Sequence, residues 1–74
     1  MSSDRVLRAG VVGLGFGAVH ARVLSEMEGV ELAAVCDTDK RRLASAIRGR
    51  TVHGYSDYSE MLSSEELDAV IVAV

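Results

Sequence analysis

Apolar residues in this chain of 74 residues occur in two arrangements, as short continuous runs and as positions repeated at helical spacing. The runs at residues 32–36 and 69–74 have the length of β-strands, and a weaker run at 51–55 predicts a shorter strand. Leu7, Val11 and Val12, around Ala9 and Gly10, are consistent with a strand before them. The last run is apolar throughout, which is typical of a parallel strand covered on both faces rather than of an amphipathic edge.

Helical spacing occurs between these runs. Val19, Val23 and Met27 recur at every fourth position, with Leu24 beside them, and predict a first helix that Gly29 ends.

A second helix is predicted after Thr38, its candidate cap, and ends at Gly49. Its predicted buried side consists of Leu43, Ala44 and Ile47.

Asp57 and Glu60 have the spacing of a capping box, which predicts the start of a third helix, and residues 63–68 are polar and turn-like. The element order is therefore β-α-β-α-β-α-β. This order predicts an α/β fold with a parallel sheet and right-handed crossovers.

Three glycines follow the first predicted strand and lead into the first helix. Gly13, Gly15 and Ala18 fit the spacing G-x-G-x-x-[GA], in which the first glycine permits a tight turn and the second lets a pyrophosphate approach the main chain. Ala18 is predicted to allow close helix–strand packing. The helix, beginning near Gly17, adds unpaired N–H groups and the positive end of its dipole. Backbone or flanking contacts to the pyrophosphate are expected from Leu14, Phe16 and Gly17.

An acidic residue ends the second predicted strand, as a dinucleotide site requires. Asp37 lies 19 positions after Ala18, where a carboxylate holds the adenosine ribose hydroxyls, although an aspartate before a helix also serves as a cap. Because a carboxylate repels a 2′-phosphate, NAD is the predicted cofactor, with NADP as the alternative. Lys40 and Arg41 lie near enough to pair with such a phosphate, or belong to a solvated helix face.

Dinucleotide-binding folds of the Rossmann type place their strands in the order 3-2-1-4 and bind ligand between the carboxyl ends of strands one and four. The same arrangement is expected here. Ala73 and Val74 end the fourth predicted strand and are expected to offer backbone to the nicotinamide side of the cofactor.

The composition of the chain indicates which kinds of partner and which compartment to expect. Eight basic and eleven acidic residues give a net charge of −3, which does not indicate a nucleic-acid partner. The longest apolar run, six residues, is short of the roughly 20 that span a membrane. The first five residues lack the features of a signal peptide, and the single cysteine fits a reducing compartment, so the cytoplasm is expected.

Apolar residues make up 49% of the chain, and its mean hydropathy of +0.21 is high for so short a sequence. A second copy, or the remainder of a larger protein, is therefore expected to cover apolar surface.

The remaining reactive side chains have structural interpretations. His20 lies inside the first helix, where its ring is expected to hydrogen-bond within the fold, and His53 is expected at the surface. Cys36 is interpreted as a small core residue rather than a redox thiol. Asp57 and Glu60 are interpreted as a helix cap. With these interpretations, no catalytic residue and no metal ligand is assigned in the sequence.

Four segments together resemble one family. Residues 13–20, 29–37, 55–58 and 68–74 are similar to the N-terminus of the Gfo/Idh/MocA oxidoreductases, the family of glucose–fructose oxidoreductase and inositol dehydrogenase. The distinctive elements are His20 after the glycines, the acid after Ala-Val-Cys and the strand Asp-Ala-Val-Ile-Val-Ala. The resemblance spans nearly the whole chain.

The resemblance implies an NAD(P)-dependent oxidoreductase of sugars, polyols or related compounds. It implies that residues 1–74 are the N-terminal half of the cofactor domain, an incomplete domain, with the catalytic lysine and the substrate domain absent. Two alternatives share the glycine turn and the acid. One is a non-catalytic regulatory module that binds NAD. The other, which fits less well because Val11 stands where an acid is usual, is a methyltransferase that binds S-adenosylmethionine.

Overall fold

The computed structural model describes residues 6–73, in which strands and helices alternate. The elements are β1 (Leu7–Val12), α1 (Gly17–Glu26), β2 (Val30–Cys36), α2 (Lys40–Ile47), β3 (His53–Tyr55), α3 (Tyr58–Ser64) and β4 (Ala69–Val72). All strand pairs are parallel, and the order across the sheet is β3-β2-β1-β4. The predicted α/β class and the strand order 3-2-1-4 are therefore confirmed.

Two hydrophobic clusters lie against opposite faces of the sheet. The larger one joins Val11 and Val35 of the central strands to Ala21 of α1 and Ala46 of α2. The smaller one joins neighbouring strand residues, among them Cys36, to Met61 of α3. Because successive side chains of a strand point to opposite faces, α1 and α2 cover one face and α3 covers the other.

An irregularity in β2 changes which of its buried residues face each side of the sheet. The pairing with β1 shifts from Ala9↔Leu32 to Gly10↔Ala34, which leaves Ala33 as an additional residue. Leu32 and Val35 both belong to the larger cluster, although they are three positions apart and would face opposite sides in a regular strand. The shift in register thus places both side chains on the same face of the sheet.

The first helix forms as predicted, but of the four apolar residues that predicted it only Leu24 packs against the core, and the other three are exposed. Val19, Val23 and Met27 are 60%, 48% and 47% exposed. The buried residues of α1 are Gly17 and Ala21. Small residues at this spacing let the helix approach the sheet closely, so the packing face is the one with little side-chain volume.

The cap and the buried face of α2 also differ from the prediction. Asp39, not Thr38, is the cap, and its carboxylate accepts hydrogen bonds from the N–H groups of Arg41 and Arg42. Ala46 is buried, whereas Ala44 is exposed. The cap moves by one residue because the side chain of Asp39 reaches the helix N–H groups directly.

Asp57 caps α3 as predicted, since its carboxylate accepts a hydrogen bond from the N–H of Ser59 at 2.9 Å. The helix continues to Ser64, so the first residues of the predicted turn are helical. None of the helices within residues 6–73 has the length and apolar character that crossing a lipid bilayer requires.

Strand β4 lies at the edge of the sheet and is only partly covered. Ala69 and Val72 are exposed, Val72 at 57%, so the predicted coverage on both faces is not found within the described residues. Val74, the end of the predicted run, lies outside them.

A buried carboxylate ties the end of α3 to the sheet. The side chain of Glu65 is 3% exposed and accepts hydrogen bonds from Arg8 Nη2 at 2.9 Å and Tyr55 Oη at 2.6 Å. His53 Nδ1 lies 2.6 Å from the same carboxylate, while its side chain is 71% exposed, as predicted for a surface residue. Burial raises the pKa of Glu65, but these partners outweigh it and the net pKa is lowered.

The close approach of α1 to the sheet predicts the effect of one added methyl group. A Cβ at Gly17 would lie 2.9 Å from Cγ1 of the fully buried Val11. We expect Gly17→Ala to lower the free energy of unfolding by about 1–3 kcal/mol, as overpacking does, measured by urea denaturation. The control is Ala18→Ser at the exposed next position, and equal stability of the two variants would contradict the prediction.

Candidate functional site

The glycine turn joins the carboxyl end of β1 to α1 through main-chain hydrogen bonds. Gly13 has a φ of +89°, which favours glycine over any residue with a side chain. Its N–H donates to Cys36 O at 2.9 Å, and its carbonyl accepts from Gly17 N at 2.8 Å. The predicted tight turn is therefore present, and it is fastened to the end of β2.

The start of α1 presents main-chain donors. The helix begins at Gly17, as predicted, and no side chain in residues 6–73 makes a capping hydrogen bond at Phe16. The first-turn N–H groups of a helix lack intrahelical partners, and the helix dipole adds partial positive charge there. Gly15 is exposed in front of them. This combination suits an anionic group such as phosphate.

The close-packing role predicted for Ala18 belongs to Gly17. Ala18 is exposed, whereas Gly17 is buried, with Val11 and Ala73 both near the place of an added Cβ. The motif therefore has the correct glycines for the turn, but its alanine does not pack on the strand.

Asp37 holds the turn from the neighbouring strand. Its Oδ2 accepts a hydrogen bond from Leu14 N at 2.7 Å, and its Oδ1 accepts one from Asp39 N at 2.8 Å. Each carboxylate oxygen can accept more than one hydrogen bond, so acceptor capacity remains for two ribose hydroxyls. Asp37 also follows β2 directly, at the same edge of the sheet as the glycine turn.

The surroundings keep Asp37 ionised. The hydrogen bond from Asp39 N–H is the largest influence and lowers the pKa of Asp37, while partial burial acts in the opposite direction. The N–H of Leu14 and the positive charge of Arg42 lower the pKa further, so the net shift is downward. A charged acceptor therefore faces the site at neutral pH.

Arg42, for which the sequence predicted no role at the site, lies beside the glycine turn. Its Nη1 is 3.1 Å from the position that a Cβ at Gly15 would take. The cap at Asp39 places Arg42 in the first turn of α2, and Arg42 Nε is 3.9 Å from Asp39 Oδ2. The signal available in the sequence was this i, i+3 pairing with a capping aspartate.

A crevice of about 520 Å³ opens in front of the turn. Its lining residues are Gly13, Gly15, Phe16, Asp37, Arg42 and Ala73. All but Arg42 were predicted as cofactor-binding residues. Of the other predicted residues, Leu14 and Gly17 are buried, Ala18 is exposed but does not line the crevice, and Val74 lies outside the described residues.

The other candidate side chains have structural roles or none at this site. His20 is exposed, and its ring makes no hydrogen bond to another described residue, contrary to the prediction. Burial, followed by the charges of Asp37 and Asp57, raises the pKa of the Cys36 thiol, in keeping with a core residue. Within residues 6–73 no group of three or more His, Cys, Asp or Glu residues is placed to hold a metal ion.

The parallel sheet, the glycine turn at a helix start and the ionised acid after β2 define a dinucleotide-binding domain of the Rossmann type. Residues 7–74 match the family described as "Oxidoreductase family, NAD-binding Rossmann fold", Gfo/Idh/MocA. The chain belongs to this NAD-binding oxidoreductase family. The resemblance predicted from the sequence is thereby confirmed, and the methyltransferase alternative is set aside.

Similar proteins include dehydrogenases and family 109 glycosyl hydrolases. Inositol 2-dehydrogenase of Salmonella typhimurium strain LT2 is 34% identical over 70 residues, covering 89% of this chain and 21% of that protein. The chain therefore spans about a fifth of the length of this curated relative.

Two solved structures share the fold. Myo-inositol 2-dehydrogenase from Lactobacillus plantarum has a TM-score of 0.83 and 33% identity, covering 95% of this chain and 22% of that one. The WlbA dehydrogenase from Bordetella pertussis, in complex with NADH and UDP-GlcNAcA, has a TM-score of 0.84 and 29% identity. The match covers 100% of this chain and 22% of WlbA.

The lowered pKa values of Asp37 and Glu65 predict that the chain loses stability in acid. A carboxyl whose pKa is lower in the folded state stabilises the fold above its unfolded pKa and loses that effect as pH falls through the folded pKa. We therefore expect the urea midpoint to fall between about pH 5 and pH 2.

Asp37→Asn should reduce the slope of this pH dependence, because it removes one of the two titrating groups. The matched control is Glu28→Gln, at an exposed carboxyl away from the crevice, which should retain the parent slope. An unchanged slope in Asp37→Asn would show that the carboxylate of Asp37 does not stabilise the fold.

Proposed function

We propose that this chain forms part of the cofactor-binding region of an NAD-dependent dehydrogenase that acts on a sugar or polyol. The observation that carries the proposal is the ionised carboxylate of Asp37 beside the glycine turn, at one edge of the parallel sheet. Membership of the NAD-binding oxidoreductase family supports the same chemistry. The names of the relatives, which include inositol 2-dehydrogenases, support a polyol as the substrate class.

Different parts of the crevice would bind the different parts of the cofactor. The turn at Gly13 and Gly15, with the start of α1, would hold the pyrophosphate through main-chain N–H groups. Asp37 would accept hydrogen bonds from the adenosine ribose. Ala73, which continues the pairing with β1 through its N–H to Val12 O at 2.8 Å, would line the nicotinamide side.

Selection of NAD over NADP follows from charge. An ionised Asp37 repels a 2′-phosphate on the ribose that it binds, whereas Arg42 in the same crevice attracts one. The hydrogen bonds from Leu14 and Asp39 hold the carboxylate of Asp37 in place beside the glycine turn, which supports repulsion of a 2′-phosphate there. NAD is therefore the proposed cofactor.

A non-catalytic module that senses NAD would show the same turn and the same acid. Reduction of NAD in the presence of myo-inositol, by a protein that carries this chain, distinguishes the dehydrogenase from such a module. The free, buried thiol of Cys36 supports a reducing compartment, and we propose the cytoplasm.

The dinucleotide proposal predicts a loss of NAD affinity when the acid is removed. Asp37→Ala should weaken NAD binding by roughly tenfold or more, because a charged acceptor of ribose hydrogen bonds is lost. Isothermal titration calorimetry of the chain with NAD and with NADP measures the effect, and the parent chain should bind NAD more tightly. The control is Glu28→Ala, away from the crevice. Unchanged NAD affinity in Asp37→Ala would contradict the ribose assignment.

We further propose that the open edge of β4 pairs with another strand, supplied by a second copy when this chain is alone. The exposed Val72 and the unpaired side of the edge strand support pairing. Sedimentation velocity should show concentration-dependent association. Val72→Lys should weaken that association, because an edge lysine opposes pairing, whereas Val23→Lys on α1 should not. A monodisperse monomer would refute the proposal.

A further inference from the structure

A second cavity lies between α1 and α2, and of its lining residues only Arg42 also lines the crevice. This groove has a volume of about 510 Å³, and four arginine side chains line it: Arg22, Arg41, Arg42 and Arg50. Leu14, Val19 and Ala46 form an apolar part of the same wall. The groove therefore combines a concentrated positive charge with a floor that does not compete for hydrogen bonds.

The charge of the groove is opposite to that of the chain. The sequence has eleven acidic and eight basic residues and a net charge of −3. Half of those basic residues line this one groove, and no aspartate or glutamate is among its lining residues. Like charges placed together raise the free energy of the fold unless a counterion or ligand neutralises them.

The four arginines differ in the hydrogen bonds and ion pairs that their side chains already make within the protein. Arg50 Nη1 donates to Ala46 O at 2.9 Å, and Arg42 Nε lies 3.9 Å from Asp39. The side chains of Arg22 and Arg41 make no hydrogen bond or ion pair with another residue in the described part of the chain. Arg22 and Arg41 are thus the donors available to a ligand, while Arg50 is held in place by the fold.

We infer that the groove between α1 and α2 is a binding site for a phosphate group, with Arg22 and Arg41 as its direct ligands. A guanidinium presents paired N–H donors that match phosphate oxygens, and arginine is the preferred residue for such contacts. The apolar wall suits the carbon skeleton of a phosphorylated small molecule. Because Asp37 disfavours a 2′-phosphate at the ribose, a free phosphorylated compound is the favoured source.

Inorganic phosphate and pyrophosphate are the probes, titrated into the chain at constant ionic strength and followed by NMR of the arginine Nε–H signals. The site predicts saturable shifts at Arg22 and Arg41, with chloride producing no comparable change. This measurement needs no substitution. Shifts that do not saturate, or that spread equally over all arginines, would overturn the inference.

Substitutions give a second test. Arg22→Gln and Arg41→Gln should each weaken pyrophosphate binding roughly tenfold, since each removes a charged hydrogen-bond donor. The matched control is Arg48→Gln, at an exposed arginine at the end of α2 that does not line the groove. Equal loss in the control would show a general charge effect and refute the site. Circular dichroism establishes that each variant is folded.

Dinucleotide titrations separate the two sources of phosphate. If pyrophosphate and NAD bind together and Arg41→Gln leaves NAD affinity unchanged, the groove takes a free phosphate compound. If Arg41→Gln weakens NADP but not NAD, and NADP displaces pyrophosphate, the groove takes the 2′-phosphate of the cofactor. Either result supports the phosphate site. The NAD titration tests the proposed function separately, because phosphate can bind to the groove whether or not the chain binds NAD.

Discussion

The carboxylate of Asp37 is the interaction on which the site depends. One oxygen holds Leu14 N, in the glycine turn, and the other holds Asp39 N, at the start of α2. Together with the hydrogen bond from Gly13 N to Cys36 O, it joins the carboxyl ends of β1 and β2 through main-chain atoms. The N–H groups of Leu14 and Asp39 also help to keep Asp37 ionised, so the same hydrogen bonds set both the charge and the position of this carboxylate.

The position of Arg42 follows from the same constraint. The hydrogen bond from Asp39 N to Asp37 sets where Asp39 lies, and Asp39 in turn caps α2 through the N–H groups of Arg41 and Arg42. Arg42 is thereby brought into the first turn of α2, where its side chain lines both the crevice and the arginine groove. The negative Asp37 and the positive Arg42 in the crevice are thus positioned by the same chain of hydrogen bonds.

The sequence predicted features that depend on local rules and missed those that depend on tertiary packing. Gly13 and Asp37 could be assigned because a positive φ and an acid after a strand have fixed positions in a phosphate-binding turn. The buried face of α1 could not be predicted in full: Leu24 packs against the core, but the buried Gly17 and Ala21 carry almost no hydrophobic signal. The position of Arg42 depends on a cap one residue later than the sequence suggested.

The exposure of large apolar residues on α1 also results from tertiary packing. Because small residues bring the helix close to β1, the larger Val19, Val23 and Met27 are left on the side that faces away from the sheet. Val19 there forms part of the apolar wall of the arginine groove. The close contact at Gly17 thus has two consequences. It holds the start of α1 next to the glycine turn, and it leaves the apolar side chain of Val19 on the side of the helix that faces α2. The depth of the crevice and the character of the groove therefore depend on one packing contact between a helix and a strand.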